Sequence, residues 1–586
     1  MPDVKVALIG AELEENLGLR YMVSALEQAG HTARIFPFND AGEGQEVARQ
    51  VLSFDPHIAG LSMVFTGRAR EFCRMARALR ENGFAGHITA GGHFAALNCV
   101  QLMTDFPEFD SVALGEGEEL ICELAAGLDK PETLDGFCSR GHDGVPRINP
   151  SRGNPQDLDL LPFPRRTEFH QYFGKPIASI LSSRGCWRSC AFCSIDAWYR
   201  SGGGRKFRIR SVPNIVAEMK ELYHTHGVRV FNFQDDNFFL PEPDKALARF
   251  TELRASLWAE GVKDIAIAVK ARPDSINRET MEVLDDLGIF RVFLGVENAS
   301  ERGLRNLNRK SSRAEIENAL QILNDFDVHV AYNLLMFEPD ATMDDLMINL
   351  RFMERHIDNP FNFCRAEAYA ATGLERKLRK DGIISGDYFG FDYRIKDQQV
   401  ETFHRVANYA FFNRNFNDFG LHYFNMEVDF SFQLLRRFQP ELLSQGLRSE
   451  VRSFIKETNL DTYRCLSQIW DMVQTLDPTD EEGIKSAMRG MRQRVDEGGL
   501  GLRSRGEHTL ERLRRVYDRQ ERDQVAMDDV PSGLSGIGIF GGGAVPYSGI
   551  ESVARSGADP LGLGFFGALR SPLPYAEFRK QLDADN

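Results

Sequence analysis

Short apolar runs alternate with stretches of helical period over the first 120 residues. Lys5–Ile9 reads as a buried strand, Leu17–Ala29 as a helix, and Ala33–Phe36 and Ile58–Met63 as further strands. Arg68–Glu81 is helical, His87–Ala90 and Ser111–Leu114 are strands, and the helix Glu118–Leu128 closes the unit. Strands separated by helices predict an α/β, doubly wound (Rossmann-like) parallel sheet. Such sheets bind ligands at the carboxyl ends of their strands, where Gly10–Gly18, Ser62–Gly67, Thr89–Leu97 and Gly115–Glu118 lie.

Leu161-Pro162-Phe163-Pro164-Arg165 excludes a regular helix or a central strand and marks a linker. The alternation then resumes with six strands, near Ile177–Ser182, Val228–Phe233, Asp264–Val269, Phe290–Leu294, Val328–Met336 and Phe361–Ala370. Six parallel units predict a partial (β/α)6 barrel, curved but not closed eightfold. Beyond it the pattern turns mostly helical and aromatic, with Phe403, Phe411, Phe412, Phe416, Phe419, Phe424, Phe430 and Phe432 close together, and reads as a helical core in preference to a substrate cap. Pro531–Arg570 holds eleven glycines, the composition of a flexible tail or lid. The expected division is therefore residues 1–135, a linker over 136–175, a barrel over 176–384, a helical region over 385–530 and a tail over 531–586.

A chain of 586 residues is too long for one core, and 42% apolar with 26% charged residues is a globular composition. The net charge of −15 argues against a general polyanion binder. There is no run of 18 apolar residues and no signal-peptide pattern at the start, so the expectation is a cytoplasmic protein with neither membrane nor nucleic-acid partner. The nine cysteines are an odd number spread over a long chain, which is no disulfide framework. Six are scattered and read as inert thiols.

The other three sit in Ser183-Arg184-Gly185-Cys186-Trp187-Arg188-Ser189-Cys190-Ala191-Phe192-Cys193, directly after a predicted strand. A C-x3-C-x2-C loop can hold three irons of a [4Fe–4S] cube and leave the fourth open to a small molecule. A structural zinc usually takes four protein ligands, and no nearby Cys or His completes that set.

This spacing, with Phe192 before the last cysteine, resembles the radical S-adenosylmethionine (SAM) superfamily. The resemblance continues in Arg208-Ile209-Arg210-Ser211 with Glu218, in Asp235-Asp236-Asn237, and in Lys270-Ala271-Arg272. It extends to Gly295-Val296-Glu297-Asn298, to Asn333–Glu338 and to Glu367-Ala368-Tyr369-Ala370-Ala371-Thr372-Gly373, where Ala371 and Gly373 depart from the family pattern. It implies that Cys186, Cys190 and Cys193 hold the cluster. It also implies SAM contacts from Phe192, Arg208, Ser211, Asp235, Asp236, Asn237, Arg272, Glu297, Asn333 and Leu335, with Glu297 near the ribose and Asn333–Glu338 near the adenine.

Glycines at strand ends suit a flavin, a nucleotide or cobalamin, or nothing. The strings Glu15-Asn16-Leu17-Gly18, Gly91-Gly92-His93-Phe94 and Gly115-Glu116-Gly117 resemble the cobalamin-binding domain that precedes many radical SAM barrels. The resemblance adds Ser62, Met63, Phe65, Thr66 and Arg68 as cobalamin contacts. The Asp-x-His-x-x-Gly motif is absent, and no histidine lies between Gly10 and Gly30. The lower face of cobalt is therefore expected to meet the Ser62–Arg68 loop, with Phe65 or Arg68 near the metal and His93 on the cofactor tail. Together these likenesses imply a cobalamin-dependent radical SAM enzyme and a C-methylation of an unactivated carbon in a small-molecule or peptide substrate. The implied route is a 5′-deoxyadenosyl radical and methylcobalamin, with flavodoxin or ferredoxin as electron donor. The alternatives are rearrangement, cyclisation or oxygen insertion without methyl transfer, or a cobalamin-binding protein with a degenerate barrel.

Overall fold

The computed structural model describes residues 3–528 except 142, 418 and 419, with side chains described through residue 517. The first sheet contains β1 (Lys5–Gly10), β2 (Thr32–Pro37), β3 (Ile58–Ser62), β4 (His87–Gly91), β5 (Ser111–Ala113), β6 (Phe137–Arg140) and β7 (Pro146–Ile148) in the order β2-β1-β3-β4-β5-β6-β7. The first five strands are parallel. Strands β1, β3 and β4 are buried along nearly their whole length, as central strands covered on both faces are, while β2 at the edge is largely exposed. Strand order reverses between β1 and β3, which opens a crevice at their carboxyl ends. The helix Leu17–Gln28 starts there, with the Asn16 side chain accepting the Leu19 N–H as its cap. Strands β6 and β7 extend the sheet antiparallel and are drawn from the segment expected to be linker.

The second sheet contains β8 (Gln171–Tyr172) and β9 (Lys175–Ile180), and then, after the ribbon β10 (Ser183–Gly185) and β11 (Phe207–Ile209), β12 (Val230–Phe233), β13 (Ala266–Ala271), β14 (Ile289–Glu297), β15 (His329–Phe337) and β16 (Phe361–Arg365). Its order is β16-β15-β14-β13-β12-β9-β8. Strands β9 and β12 to β16 are parallel and in sequence order, so the expected six-unit alternation is present and the sheet is not closed on itself. Register shifts between Leu294 and Glu297 and between Leu334 and Phe337 re-aim side chains at the carboxyl ends of β14 and β15.

A hairpin, β17 (Ile384–Asp387) and β18 (Gly390–Tyr393), precedes four helices over Gln398–Phe416, Leu421–Phe438, Gln445–Val473 and Glu481–Asp528. The aromatic run packs as a helical core. Phe403, Phe411, Phe424, Phe430 and Phe432 are buried, and Phe419 lies outside the described residues. Phe430 meets Phe290 at 5.1 Å and Tyr172 at 5.2 Å and joins a cluster with Val230, Ala266 and Ala268, at the amino ends of the strands. Phe430 and its neighbours therefore close the barrel at the end away from the cysteine loop, while Phe403 packs on Phe337 and Phe411 on Phe363. Residues 531–586 lie outside the described part. Among the described residues no helix is long and apolar enough to cross a membrane.

Candidate functional site

Two cavities face each other across the domains. One of about 430 Å³ lies over the carboxyl ends of the barrel strands, and one of about 320 Å³ over those of the first sheet. Val64, His93 and Asp236 line both.

Cys186, Cys190 and Cys193 all line the larger cavity. The ribbon of β10 and β11 fixes the start of their loop, where Gly185 at φ +84° passes so close to Lys206 that a Cβ would meet its carbonyl. Cys193 stands at the amino end of the helix Ser194–Gly202. Burial pushes the Cys186 and Cys193 thiols up. Arg309 Nη1 donates to Cys190 Sγ at 3.2 Å and Arg272 Nη1 approaches it at 3.6 Å. Two buried guanidinium groups aimed at one sulfur suit a thiolate held on an iron cluster. Among the described residues no three His, Cys, Asp or Glu side chains converge to hold a single metal ion.

Phe192, Asp236, Arg272, Glu297 and Leu335 line this cavity as expected. Glu297 is a non-glycine residue at φ +64°, held there by the register shift at the end of β14. Its Oε2 is buried with no partner, its Oε1 is 3.9 Å from Arg309, and burial raises its carboxyl. An unpartnered buried carboxylate oxygen fits a ligand that supplies a hydroxyl donor, as a ribose does. Asp236 accepts from Gly185 N–H at 3.1 Å, and burial lifts its carboxyl to about 6 against the pull of Lys270.

Five expected SAM contacts line neither cavity. Arg208 turns its two terminal nitrogens to Glu116 and the Pro155 carbonyl. Ser211 caps the helix Val212–His226. Asp235 is turned inward and accepts from Ser182 Oγ at 2.7 Å and Ser183 Oγ at 2.5 Å. Asn237 donates to the Phe239 carbonyl at 3.1 Å, and Asn333 to Cys364 Sγ at 3.3 Å.

Asn16, Gly18, Ser62, Gly91, Gly92, His93, Gly115, Glu116 and Gly117 line the smaller cavity, while Phe65, Thr66 and Phe94 reach the larger. At Gly92, φ is +93° and a Cβ would come within 2.9 Å of the Met63 carbonyl, so this strand end admits only glycine. Burial lowers His93 to about 4, which keeps it neutral, and its ring packs 4.5 Å from Trp198. Trp198 Nε1 and Glu118 Oε2 are buried without partners at this cavity, so the residues present fit a polar ligand such as the cobalamin tail. Four expected contacts lie elsewhere. Leu17 and Met63 are core residues outside both linings. Glu15 ties Arg166 at 2.5 Å and Ser179 N–H at 2.6 Å. Arg68 is buried between Phe38 and Phe72, with Nη1 on the Phe38 carbonyl, and lines neither cavity, while Phe65 lines only the larger.

The sequence reading missed Val64, Lys270, Arg309, Arg365, Glu367 and Tyr369 in the larger cavity, and Tyr388 and Phe391 from the hairpin. Val64, Lys270, Glu367 and Tyr369 lay in quoted strand-end segments, which was the available signal. The hairpin had none. Phe65, Phe94, Leu97, Phe293, Tyr388 and Phe391 give this cavity an apolar wall.

Residues 7–125 match the B12 binding domain and residues 180–353 the radical SAM superfamily. The chain is 25% identical over 366 residues to the "Uncharacterized methyltransferase PH0819" of Pyrococcus horikoshii, covering 61% of this chain and 77% of that one. It is 27% identical over 327 residues to the "Anaerobic magnesium-protoporphyrin IX monomethyl ester cyclase" of Synechocystis, covering 53% and 62%. Its fold resembles that of the cobalamin-dependent S-adenosylmethionine radical enzyme OxsB with aqua-cobalamin bound, at a TM-score of 0.63 and 15% identity over 91% of this chain and 82% of that one. With a B12 binding domain in front of a radical SAM domain, and with a [4Fe–4S] cluster, SAM and cobalamin as its cofactors, the chain belongs to the cobalamin-dependent radical SAM enzymes.

Proposed function

We propose that the enzyme is a C-methyltransferase acting on an unactivated carbon of a small-molecule or peptide substrate. The observation that carries this reading is the shared wall of the two cavities, Val64, His93 and Asp236. A methyl group can pass to a substrate only if both cofactor sites open on one chamber. The likeness to a protein named as a methyltransferase points the same way.

When bound, the cluster supplies an electron for cleaving SAM and cobalamin supplies a transferable methyl group. The chain's own residues do the rest. Cys186, Cys190 and Cys193 hold the cluster, and Arg272 and Arg309 neutralise negative charge on the Cys190 sulfur. Glu297 receives the ribose through its unpartnered Oε2. Neutral His93, packed on Trp198, lines the passage between the cavities without adding charge. The apolar wall with Tyr388 and Phe391 excludes water from a radical.

The test is product analysis of anaerobically prepared holoenzyme given SAM and a reductant. Methyl transfer predicts S-adenosylhomocysteine alongside 5′-deoxyadenosine. Cys190→Ala should abolish the second product. 5′-Deoxyadenosine without S-adenosylhomocysteine would favour the cyclisation or rearrangement alternative, which the likeness to a protein named as a cyclase supports.

A further inference from the structure

The cysteine loop reaches the surface at Ser189, which is not part of the cavity lining, next to Cys190, which is. Ser189 is exposed and Cys190 beside it is half-buried. Three segments pack directly on this stretch. Lys206 donates to the Arg188 carbonyl at 3.3 Å and to Ser189 Oγ at 2.7 Å. Asn308 donates to the Ser189 carbonyl at 2.6 Å, and Leu374 N–H to the Ala191 carbonyl at 2.7 Å.

Each segment brings exposed bases. Arg200 and Arg205 flank the first, Arg305 and Lys310 the second, and Arg376 stands on the third. The acids of these segments are mostly turned inward and already engaged. Buried Asp196 holds Arg200 at 2.9 Å and Lys206 at 3.1 Å, and buried Glu375 holds Arg379 at 2.5 Å. Asp274, whose side chain is nearly covered, holds Arg188 at 2.7 Å. Exposed Glu301 stands against the bases and accepts the Arg313 N–H at 2.8 Å. In a chain of net charge −15, this leaves a basic collar around the surface exit of the cluster loop.

We propose that the collar is the docking surface for an acidic one-electron donor protein, with Ser189 and Cys190 as the point of electron entry. This rests on the assignment of the cluster to Cys186, Cys190 and Cys193. The transfer balances simply: the donor is oxidised by one electron, the cluster is reduced by one, and no bond changes until SAM is cleaved. Charge complementarity selects the partner. The collar is local and the rest of the chain is acidic, so a compact acidic protein meets it without the repulsion that a long polyanion would meet beyond its rim.

The experiment follows reduction of the cluster in the anaerobic holoenzyme by stopped-flow absorbance. It compares the native protein with the double variant Arg205→Glu/Arg305→Glu. The donors are a fully reduced flavodoxin of acidic surface and reduced methyl viologen, a small cation. At low ionic strength the variant should accept electrons from flavodoxin at least tenfold more slowly, within the about 10- to 1000-fold range of electrostatic steering. At about 1 M salt, where the screening length is about 3 Å, the difference should collapse. Viologen should reduce both proteins without slowing. An unchanged flavodoxin rate in the variant would overturn the proposal. So would tight, salt-sensitive binding of a transfer RNA that the variant loses while flavodoxin reduction persists. A native protein that binds no iron when prepared anaerobically would remove the cluster assignment itself, and the proposal with it.

Discussion

Three carboxylates of the larger cavity show how a residue's surroundings decide its use. Asp236 is tied to the Gly185 N–H, and Glu297 leans on Arg309. Glu367 has no such tie, and burial lifts its carboxyl to about 7 against the pull of Arg365. The sign of the consequence is fixed by linkage. In the unfolded chain the same carboxyl ionises near 4.5. Its contribution to stability is therefore complete below that pH and is lost as pH rises through about 7. Glu367→Gln should leave the cofactor-free protein unchanged below about pH 4 and make it more stable at about pH 8, by up to about 3 kcal/mol. Urea unfolding across that range is the check, and parallel pH profiles for the two proteins would refute the assignment. The neighbouring pair Asp235/Asp236 explains why residue-level reading succeeded only in part. Both were named from one motif, yet Asp235 folds back onto Ser182 and Ser183 while Asp236 faces the cavity. Strand β12 ends at Phe233, so past that point the alternation of side chains no longer says which carboxylate points where.

At the scale of elements, the parallel strands were legible because strands buried on both faces are continuous apolar runs. The ribbon of β6 and β7 was not, since seven residues in two antiparallel pieces carry no period. The hairpin of β17 and β18 was missed for the same reason, and it is the element that covers the site. Its tip is held by aromatic contacts that no local pattern announces. Tyr388 stacks on Phe94 at 5.9 Å and donates to Asp105 at 2.9 Å. Phe389 meets Phe94 at 5.5 Å and Phe106 at 5.8 Å, and Arg70 lies 4.2 Å over its ring. Each such aromatic pair is worth about 0.5–1.5 kcal/mol. Phe389→Ala should therefore loosen the lid by about 1–2 kcal/mol and accelerate amide exchange in residues 384–393 about tenfold, leaving the barrel strands protected. Unchanged exchange would mean that strand pairing within the hairpin holds the lid by itself.

At the scale of the whole molecule, the two cavities stay in register only if the two sheets are locked together, and buried ion pairs supply the lock. Arg184 reaches from the barrel to Glu116 at 3.0 Å and Glu118 at 2.5 Å in the first domain, and Arg208 pairs with Glu116 as well. Glu15 holds Arg166 at 2.5 Å, which passes to Glu218 at 2.9 Å and so to Arg210 at 2.6 Å. Motif reading gave Arg208 to SAM and Glu15 to cobalamin, because a residue near a site in sequence looks the same whether it binds a ligand or braces the domain that does. Replacing a buried pair outright can be neutral, but removing one member strands the other charge at a cost of about 3–5 kcal/mol. Glu116→Gln removes the anion that Arg208 pairs with and leaves it the Pro155 carbonyl, the Tyr199 ring and at most one neutral amide oxygen. It should lower stability by about 3 kcal/mol and, because the loss falls between the domains, split one thermal transition into two. A cycle with Arg208→Gln separates bracing from ligand contact. Coupling of about 1–3 kcal/mol in protein without cofactors means that the two residues serve each other. Additive effects on stability, with coupling appearing only when SAM is added, would return Arg208 to the SAM site.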